Sequence, residues 1–106
     1  MTEKKTPSHD LAAFRARFSK VEALAVTATA IKTAAELGFG RQEIVDAIQK
    51  MERSHFVKSM TSYADHRVWQ DVYNVPHSDE LTLYVKFTAD TVTEFKLLSF
   101  KEKSND

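Results

Sequence analysis

The sequence predicts an α+β fold in which N-terminal helices pack on one face of a mainly antiparallel sheet. Apolar residues recur at helical spacing in the first half of the chain, most clearly from 41 to 51. Apolar and polar residues alternate in the second half, most clearly from 81 to 88. Because the helical half precedes the alternating half, the helices are expected to lie on one face of the sheet.

The length and composition bound the class of protein. With 106 residues, of which 42% are hydrophobic, we expect residues 1–106 to form one domain with a real core. Cysteine is absent, which excludes disulfides and thiolate metal sites and favours a reducing, cytoplasmic location. No apolar run approaches the ~20 residues that a bilayer span needs. The basic N-terminus has no apolar segment behind it, so it does not resemble a secretory signal.

The formal net charge is zero, with 15 basic and 15 acidic residues. Proteins that coat nucleic acid usually carry a basic excess, so the charge balance disfavours that class. An RNA enzyme needs only a local cluster of cations. For such an enzyme, the neutral balance predicts modest RNA affinity with a shallow dependence on salt.

The first predicted helix follows Ser8, which is a candidate N-cap. Its apolar face carries Leu11, Phe14 and Phe18. Residues 21–26, with the sequence VEALAV, are predicted to form a short strand.

Two further helices are predicted before the sheet. One spans 28–37 and ends at Gly38, because glycine reaches a positive φ without penalty. The other spans 41–51 and has the clearest helical period, with an apolar face made of Ile44, Ala47, Ile48 and Met51.

The second half predicts a meander of strands. Residues 57–63 form the first strand and residues 66–73 the second. In the second strand, one face carries Val68 and Val72, and the other carries Trp69, Asp71 and Tyr73. Residues 74–80 are predicted to be a loop, since they contain Asn, Ser, Asp and the only proline of this half.

The next predicted strand, 81–88, alternates regularly. Its core face comprises Leu81, Leu83, Val85 and Phe87, and its opposite face comprises Thr82, Tyr84, Lys86 and Thr88. A turn at 89–91 then leads to a last strand at 92–101. The polar segments 1–7 and 103–106 are predicted to fray.

Three segments distinguish this chain from an ordinary small α+β domain: KSMTSYADHRVWQDVY at 58–73, YVKF at 84–87 and LSFKEK at 98–103. These segments resemble the MqsR-type (motility quorum-sensing regulator) mRNA interferases, the ribonuclease toxins of toxin–antitoxin pairs. The most distinctive string is WQDVY after a KSMT strand. The segment 74–80 departs from the loop that is usual in this family.

The resemblance implies a RelE-like fold, with helices against one side of a curved sheet and an RNA-binding surface on the other. It implies a type II toxin that inhibits translation during stress by cleaving mRNA at GC-containing triplets, without metal or other cofactor. The implied partner is an antitoxin, typically MqsA-like, with a zinc-binding domain and a helix-turn-helix domain. No membrane or direct DNA contact is expected. The family's functional set falls on Lys58, Gln70, Tyr84 and Lys101.

These residue types suit metal-free RNA cleavage, in which the 2′-hydroxyl attacks the adjacent phosphate. The reaction needs a proton acceptor, a proton donor and positive charge around the phosphorane. We assign proton transfer to Tyr84, and charge stabilisation to Lys58 and Lys101, one of which could also be the base. Two neighbouring lysines disfavour each other's charged form, although two charged lysines bind phosphate better. The Gln70 amide is expected to orient the phosphate or the 2′-hydroxyl.

Strand alternation partly supports this set. Tyr84 points away from the core face of its strand, and Lys101 points away from Phe100, so both can share an open sheet face. Gln70 alternates in step with Val72, which leaves two interpretations. Either the valines of this strand line the open face, or Gln70 is a buried polar group that needs partners.

His66, Tyr73 and Lys86 are predicted to contact the substrate. Histidine titrates near neutrality, but Asp65 is not expected to orient His66, because adjacent strand residues point to opposite faces. Tyr73 can stack on bases, whereas Trp69 is more readily interpreted as the main core aromatic. No spacing of His, Asp and Glu indicates a metal site. Without the resemblance, these side chains would be ordinary surface or packing residues.

The alternative function is a non-catalytic module of the same fold that binds only an antitoxin or RNA. The neutral net charge motivates this hypothesis. Co-purification with the product of an adjacent gene, by a chain that cuts no RNA, would favour it.

Overall fold

A computed structural model describes residues 2–91 and 94–103. In this part of the chain, one antiparallel sheet has the strand order β1-β2-β3-β4-β5. Its strands are β1 (Glu3–Lys4), β2 (Phe56–Thr61), β3 (Trp69–Ser78), β4 (Leu81–Thr91) and β5 (Glu94–Glu102). The helices are α1 (Leu11–Arg17), α2 (Ala28–Glu36) and α3 (Arg41–Gln49), with 3₁₀ turns at Val21–Ala23 and Arg53–His55. The predicted α+β class is confirmed, and the RelE-like label stays a prediction.

The core lies between the helices and one face of the sheet. At its centre Phe14 of α1 stacks on Phe87 of β4, with ring centroids 3.8 Å apart and planes inclined by 2°. The other fully buried core side chains include Phe18, Ala30, Ala34, Ile44, Ile48, Tyr73, Leu83, Leu97 and Phe100. The predicted core faces of the helices and of the 81–88 strand are therefore confirmed.

The three predicted helices are present, but two local predictions were wrong. Ser8 does not cap α1, because the Asp10 carboxylate accepts hydrogen bonds from the amides of Ala12 and Ala13. The predicted strand at 21–26 is a 3₁₀ turn followed by a single parallel bridge between Val26 and Leu97. Gly38 ends α2 with φ of 83°, as predicted.

The strands are longer than predicted in two places. β3 continues to Ser78 through the expected loop at 74–80, and a register shift beside Pro76 absorbs the residue that lacks an N–H. β4 continues through the expected turn at 89–91. Positions 92 and 93 of the predicted last strand lie outside the described residues.

The N-terminal segment was predicted to fray, and that prediction was wrong for the described residues. β1 pairs with β2, and the amide of Thr61 donates to the Thr2 carbonyl at 2.9 Å. The amides of Ser8 and His9 donate to the buried Asp71 carboxylate. At the other end, the predicted fraying is wrong for Lys103, whose amide donates to the Thr82 carbonyl at 2.8 Å, and residues 104–106 lie outside the described residues.

Trp69 is not the main core aromatic, which corrects the prediction. It lies half-buried at the start of β3, where the Lys4 ammonium is 4.3 Å from the centroid of its ring. The core instead uses phenylalanines from both layers, because Phe14 and Phe87 fill the space between helix and sheet.

Candidate active site

The face of the sheet opposite the helices carries most of the predicted functional residues. On β3, Gln70 shares this face with Val72, whose register partners are Lys58 and Lys86. Val72 is 1% exposed yet lies outside the hydrophobic core cluster. The two interpretations of β3 are thereby resolved, since Val72 lies on the face away from the core together with Gln70.

An open cleft of about 370 Å³ lies on this face. It is lined by Val57, Lys58, Val72, Asn74, Tyr84, Lys101 and Lys103. A register shift in β2 between Phe56 and Lys58 allows two consecutive residues, Val57 and Lys58, to border the cleft. Three of the four residues predicted to be catalytic therefore line one cleft.

Tyr84 and Lys101 are direct cross-strand neighbours on β4 and β5. The Lys101 ammonium lies 5.2 Å from the centroid of the Tyr84 ring, within the range of a cation–π interaction. Burial raises the pKa of the Tyr84 phenol, and the charge of Lys58 offsets part of that rise. The phenol is therefore protonated at neutral pH, which suits a proton donor better than a base.

The pKa values of two lysines on this face shift in opposite directions. Lys58 donates a hydrogen bond to the Glu3 carboxylate at 2.8 Å, and this bond raises the pKa of Lys58. Burial lowers the pKa of Lys86, and the charges of Lys101 and Lys58 lower it further. Mutual lowering of the lysine pKa values was one of two possibilities left open for Lys58 and Lys101. The pKa of Lys58 is raised instead, and a lowered pKa is found at Lys86.

Gln70 lies on the same sheet face but does not line the cleft. Its register partners are Met60 on β2 and Thr88 on β4. These residues lie two positions along their strands from Lys58 and Lys86, the register partners of Val72. Gln70 is half-buried. The structure therefore brings Lys58, Tyr84 and Lys101 together and leaves Gln70 beside them.

Tyr73 has a core position instead of a place on the substrate face. It is 0% exposed and packs against Phe56 and Phe87. Burial, with a smaller contribution from the Asp71 charge, raises the pKa of Tyr73 to about 12. Its hydroxyl is buried without a hydrogen-bond partner in the described part of the chain. An RNA nucleobase cannot stack on this ring while the core stays intact, so the prediction that Tyr73 contacts the substrate was wrong.

His66 lies in the loop between β2 and β3 instead of in a strand, and its side chain is exposed. Its neighbour Asp65 forms an ion pair with Arg67 at 3.1 Å, so Asp65 is engaged elsewhere. His66 is not among the residues that line the cleft. Its contact with the substrate stays a prediction.

Four residues at the cleft were missed by the sequence reasoning. Val57, Asn74 and Lys103 line it, and Glu3 contacts Lys58 at its border. The position of Asn74 was detectable, because Asn74 is four residues from Gln70 and a strand places both on one face. The position of Glu3 was not, since 55 residues separate Glu3 from Lys58.

The described residues contain neither a candidate metal-binding cluster nor a candidate membrane-spanning helix. No three or more His, Cys, Asp or Glu residues in 2–91 and 94–103 are grouped in a way that could hold a metal ion. No helix in this part of the chain is long and apolar enough to cross a membrane.

The fold and the cleft define a small α+β protein with lysines around a cleft on the bare face of an antiparallel sheet, an arrangement suited to a polyanion. Residues 6–102 match the family described as "Motility quorum-sensing regulator, toxin of MqsA". The chain is 35% identical over 101 residues to the mRNA interferase toxin MqsR of Escherichia coli (strain K12), covering 95% of this chain and 99% of that protein. The chain therefore belongs to the MqsR toxin family, and the predicted family is confirmed.

Replacing Tyr73 by Phe tests its core position. The free energy of unfolding of the variant should equal that of the wild type or exceed it by up to about 1 kcal/mol, because the substitution removes a buried hydroxyl that lacks a partner. Since the folded-state pKa is about 12 and the unfolded value is ~10, the wild type should lose stability between these pH values. The variant should lack this loss.

Chemical denaturation at neutral and alkaline pH measures both effects. Tyr63→Phe is the matched control, because Tyr63 is 82% exposed and its loss of a hydroxyl should change stability at neither pH. A Tyr73→Phe variant that folds normally but binds or cuts RNA poorly would return Tyr73 to the substrate.

Proposed function

We propose that this chain is the toxin of a type II toxin–antitoxin system and an endoribonuclease that cleaves mRNA. The observation that carries the proposal is the convergence of Lys58, Tyr84 and Lys101 on one cleft of the uncovered sheet face. Membership of a family described as the toxin of MqsA supports the biological role. The name of the E. coli relative, mRNA interferase toxin, supports the substrate and the reaction.

The proposed reaction begins with attack of an RNA 2′-oxygen on the adjacent phosphorus. A new P–O2′ bond forms, the P–O5′ bond breaks, and the products carry a 2′,3′-cyclic phosphate and a 5′-hydroxyl. Tyr84 donates a proton to the departing 5′-oxygen. The phenol carries a proton at neutral pH, as a donor must, because its ordinary pKa of ~10 is raised by burial.

Positive charge is supplied by Lys58 and Lys101. The hydrogen bond to Glu3 raises the pKa of Lys58, and a charged ammonium stabilises the phosphorane through charge-assisted hydrogen bonds. Lys86 lies on the same face, in register with Val72, but does not line the cleft. It is proposed to take the proton of the 2′-hydroxyl, because burial and the charges of Lys101 and Lys58 lower its pKa. Gln70, one step along the face, is proposed to orient the phosphate through its amide.

The finer features of the proposal come from the family. We propose cleavage at GC-containing triplets, inhibition of translation during stress and a cytoplasmic location. We also propose an MqsA-like antitoxin with a zinc-binding domain and a helix-turn-helix domain as partner. The support for these features is the resemblance to the MqsR toxin family, which residues 6–102 match, and not the geometry of the cleft.

Incubation of the purified chain with mRNA in excess EDTA tests the reaction. Cutting should persist, because the 2′-hydroxyl is the nucleophile and the protein supplies the charge. The fragments should carry 5′-hydroxyl ends, and mapping those ends should place the cuts at GC-containing triplets. RNA with 2′-deoxy residues at the mapped positions is the control and should stay intact. Loss of cutting on chelation contradicts the mechanism, and absence of any cutting favours the non-catalytic alternative.

Two substitutions test the proposed roles in the cleft. Tyr84→Phe and Lys101→Ala should each lower the single-turnover cleavage rate by ~10² or more, since one removes a proton donor and the other a charge. Lys32→Ala is the matched control for lysine loss, because Lys32 is exposed on α2. Wild-type rates in both cleft variants would refute the assignment.

A third substitution separates proton transfer from charge. Lys86→Arg keeps the positive charge but replaces an ammonium, whose pKa is lowered, by a guanidinium, which stays protonated in proteins. We expect its single-turnover rate to fall by ~10². Lys101→Arg, which also keeps the charge, should lose much less. Equal losses in the two variants would show that Lys86 acts only as a cation.

A further inference from the structure

Glu3 reaches the cleft from a firmly anchored edge strand. The Thr2 amide donates a hydrogen bond to the Thr61 hydroxyl at 3.0 Å, and the Thr2 carbonyl accepts one from the Thr61 amide at 2.9 Å. Glu3 is then in register with Met60 of β2. The position of the Glu3 backbone is therefore set by β2, the strand that also carries Lys58.

A second anchor fixes the segment that follows β1. The amides of Ser8 and His9 donate to the Asp71 carboxylate, at 2.9 to 3.1 Å. The Ser8 and Ser59 hydroxyls are 2.6 Å apart. Residues 2–9 are thus fastened to β2 and β3 at both ends, and Glu3 lies between the two anchors.

The direction of the Glu3 side chain follows from strand alternation. Lys4 turns to the side of Trp69, with its ammonium 4.3 Å from the ring centroid. Its neighbour Glu3 therefore points to the opposite side. There its carboxylate accepts a hydrogen bond from the Lys58 ammonium at 2.8 Å.

We propose that Glu3 is a positioning residue, whose carboxylate holds the Lys58 ammonium at the border of the cleft for contact with an RNA phosphate. This inference rests on the proposed function. An ammonium has three N–H donors, so a bond to Glu3 leaves two for the phosphate. The pair is partly exposed, with side chains 30% and 46% accessible. Partly exposed pairs add little to stability, so stability alone does not account for the contact.

The surroundings of Lys58 explain why a carboxylate is needed. The other charged or titratable groups that face it are Tyr84 and Lys86 on β4, Lys101 on β5, and Lys103 beyond β5. Burial disfavours a charged Lys58 by lowering its pKa, and like charges nearby act in the same direction. The bond to Glu3 is the largest influence on the pKa of Lys58 and raises it. Without Glu3, Lys58 should lose its proton at lower pH and its side chain should lose a fixed direction.

Glu3→Gln tests the proposal, with Glu36→Gln on the exposed surface of α2 as the matched control. We expect kcat to fall about tenfold through lost orientation, while KM stays unchanged or falls because a negative charge near the RNA is removed. The alkaline limb of the kcat–pH profile should move to lower pH, since Lys58 then deprotonates earlier. In a Lys58→Met background, Glu3→Gln should lower kcat no further, because the effect acts through Lys58.

A measurement without RNA cutting keeps the inference separate from the proposed function. In protein with ¹³C-labelled lysine, the Lys58 side-chain resonance should titrate at lower pH in Glu3→Gln than in the wild type or in Glu36→Gln. An unchanged Lys58 titration, an unchanged kcat–pH profile, or a rise in kcat on loss of the carboxylate would overturn the inference. Failure of the wild type to cut RNA would refute the proposed function instead, and the titration would still decide whether Glu3 controls Lys58.

Discussion

The structure depends on one constraint, the alternation of side chains along β3 and β4 while the helices cover only one face of the sheet. Along β4, Leu83, Val85 and Phe87 point into the core and are at most 1% exposed. The residues between them, Tyr84 and Lys86, must therefore point to the other face. That face has no helix against it in the described part of the chain, so polar and charged side chains can gather there. The same residues that stabilise the fold thus determine where the candidate chemistry lies.

Much of the fold could be predicted because its signals are local. The helical period of α3 and the alternation of β4 are readable within about ten residues, and both elements were found. Two of the failures share a physical cause, which is pairing with a neighbouring strand. β1 has only two residues and exists because β2 lies beside it, and Pro76 is held in β3 by its register with Thr82. Local propensity indicates a frayed end in the first case and a loop in the second.

The candidate site was predictable where the family resemblance and strand alternation agreed. Tyr84 was expected on the open face by both criteria. The misplacement of Tyr73 was avoidable, because Tyr73 and Gln70 are an odd number of residues apart and so point to opposite faces of β3. The directions in which the pKa values of Lys58 and Lys86 shift were not predictable from sequence. They depend on which lysine meets a carboxylate, and the Glu3–Lys58 contact joins residues 55 positions apart.

The zero net charge is compatible with RNA binding, because a charge count ignores where the charges lie. Asp71 is fully buried and accepts hydrogen bonds from backbone amides, and Asp10 caps α1. Such carboxylates are satisfied by backbone N–H groups away from the cleft. At physiological ionic strength, exposed charges more than about 8 Å apart are largely screened from each other. A phosphate at the cleft therefore responds chiefly to nearby lysines and to Glu3, whose charge is already engaged by Lys58. The local balance is cationic, although the chain as a whole is neutral.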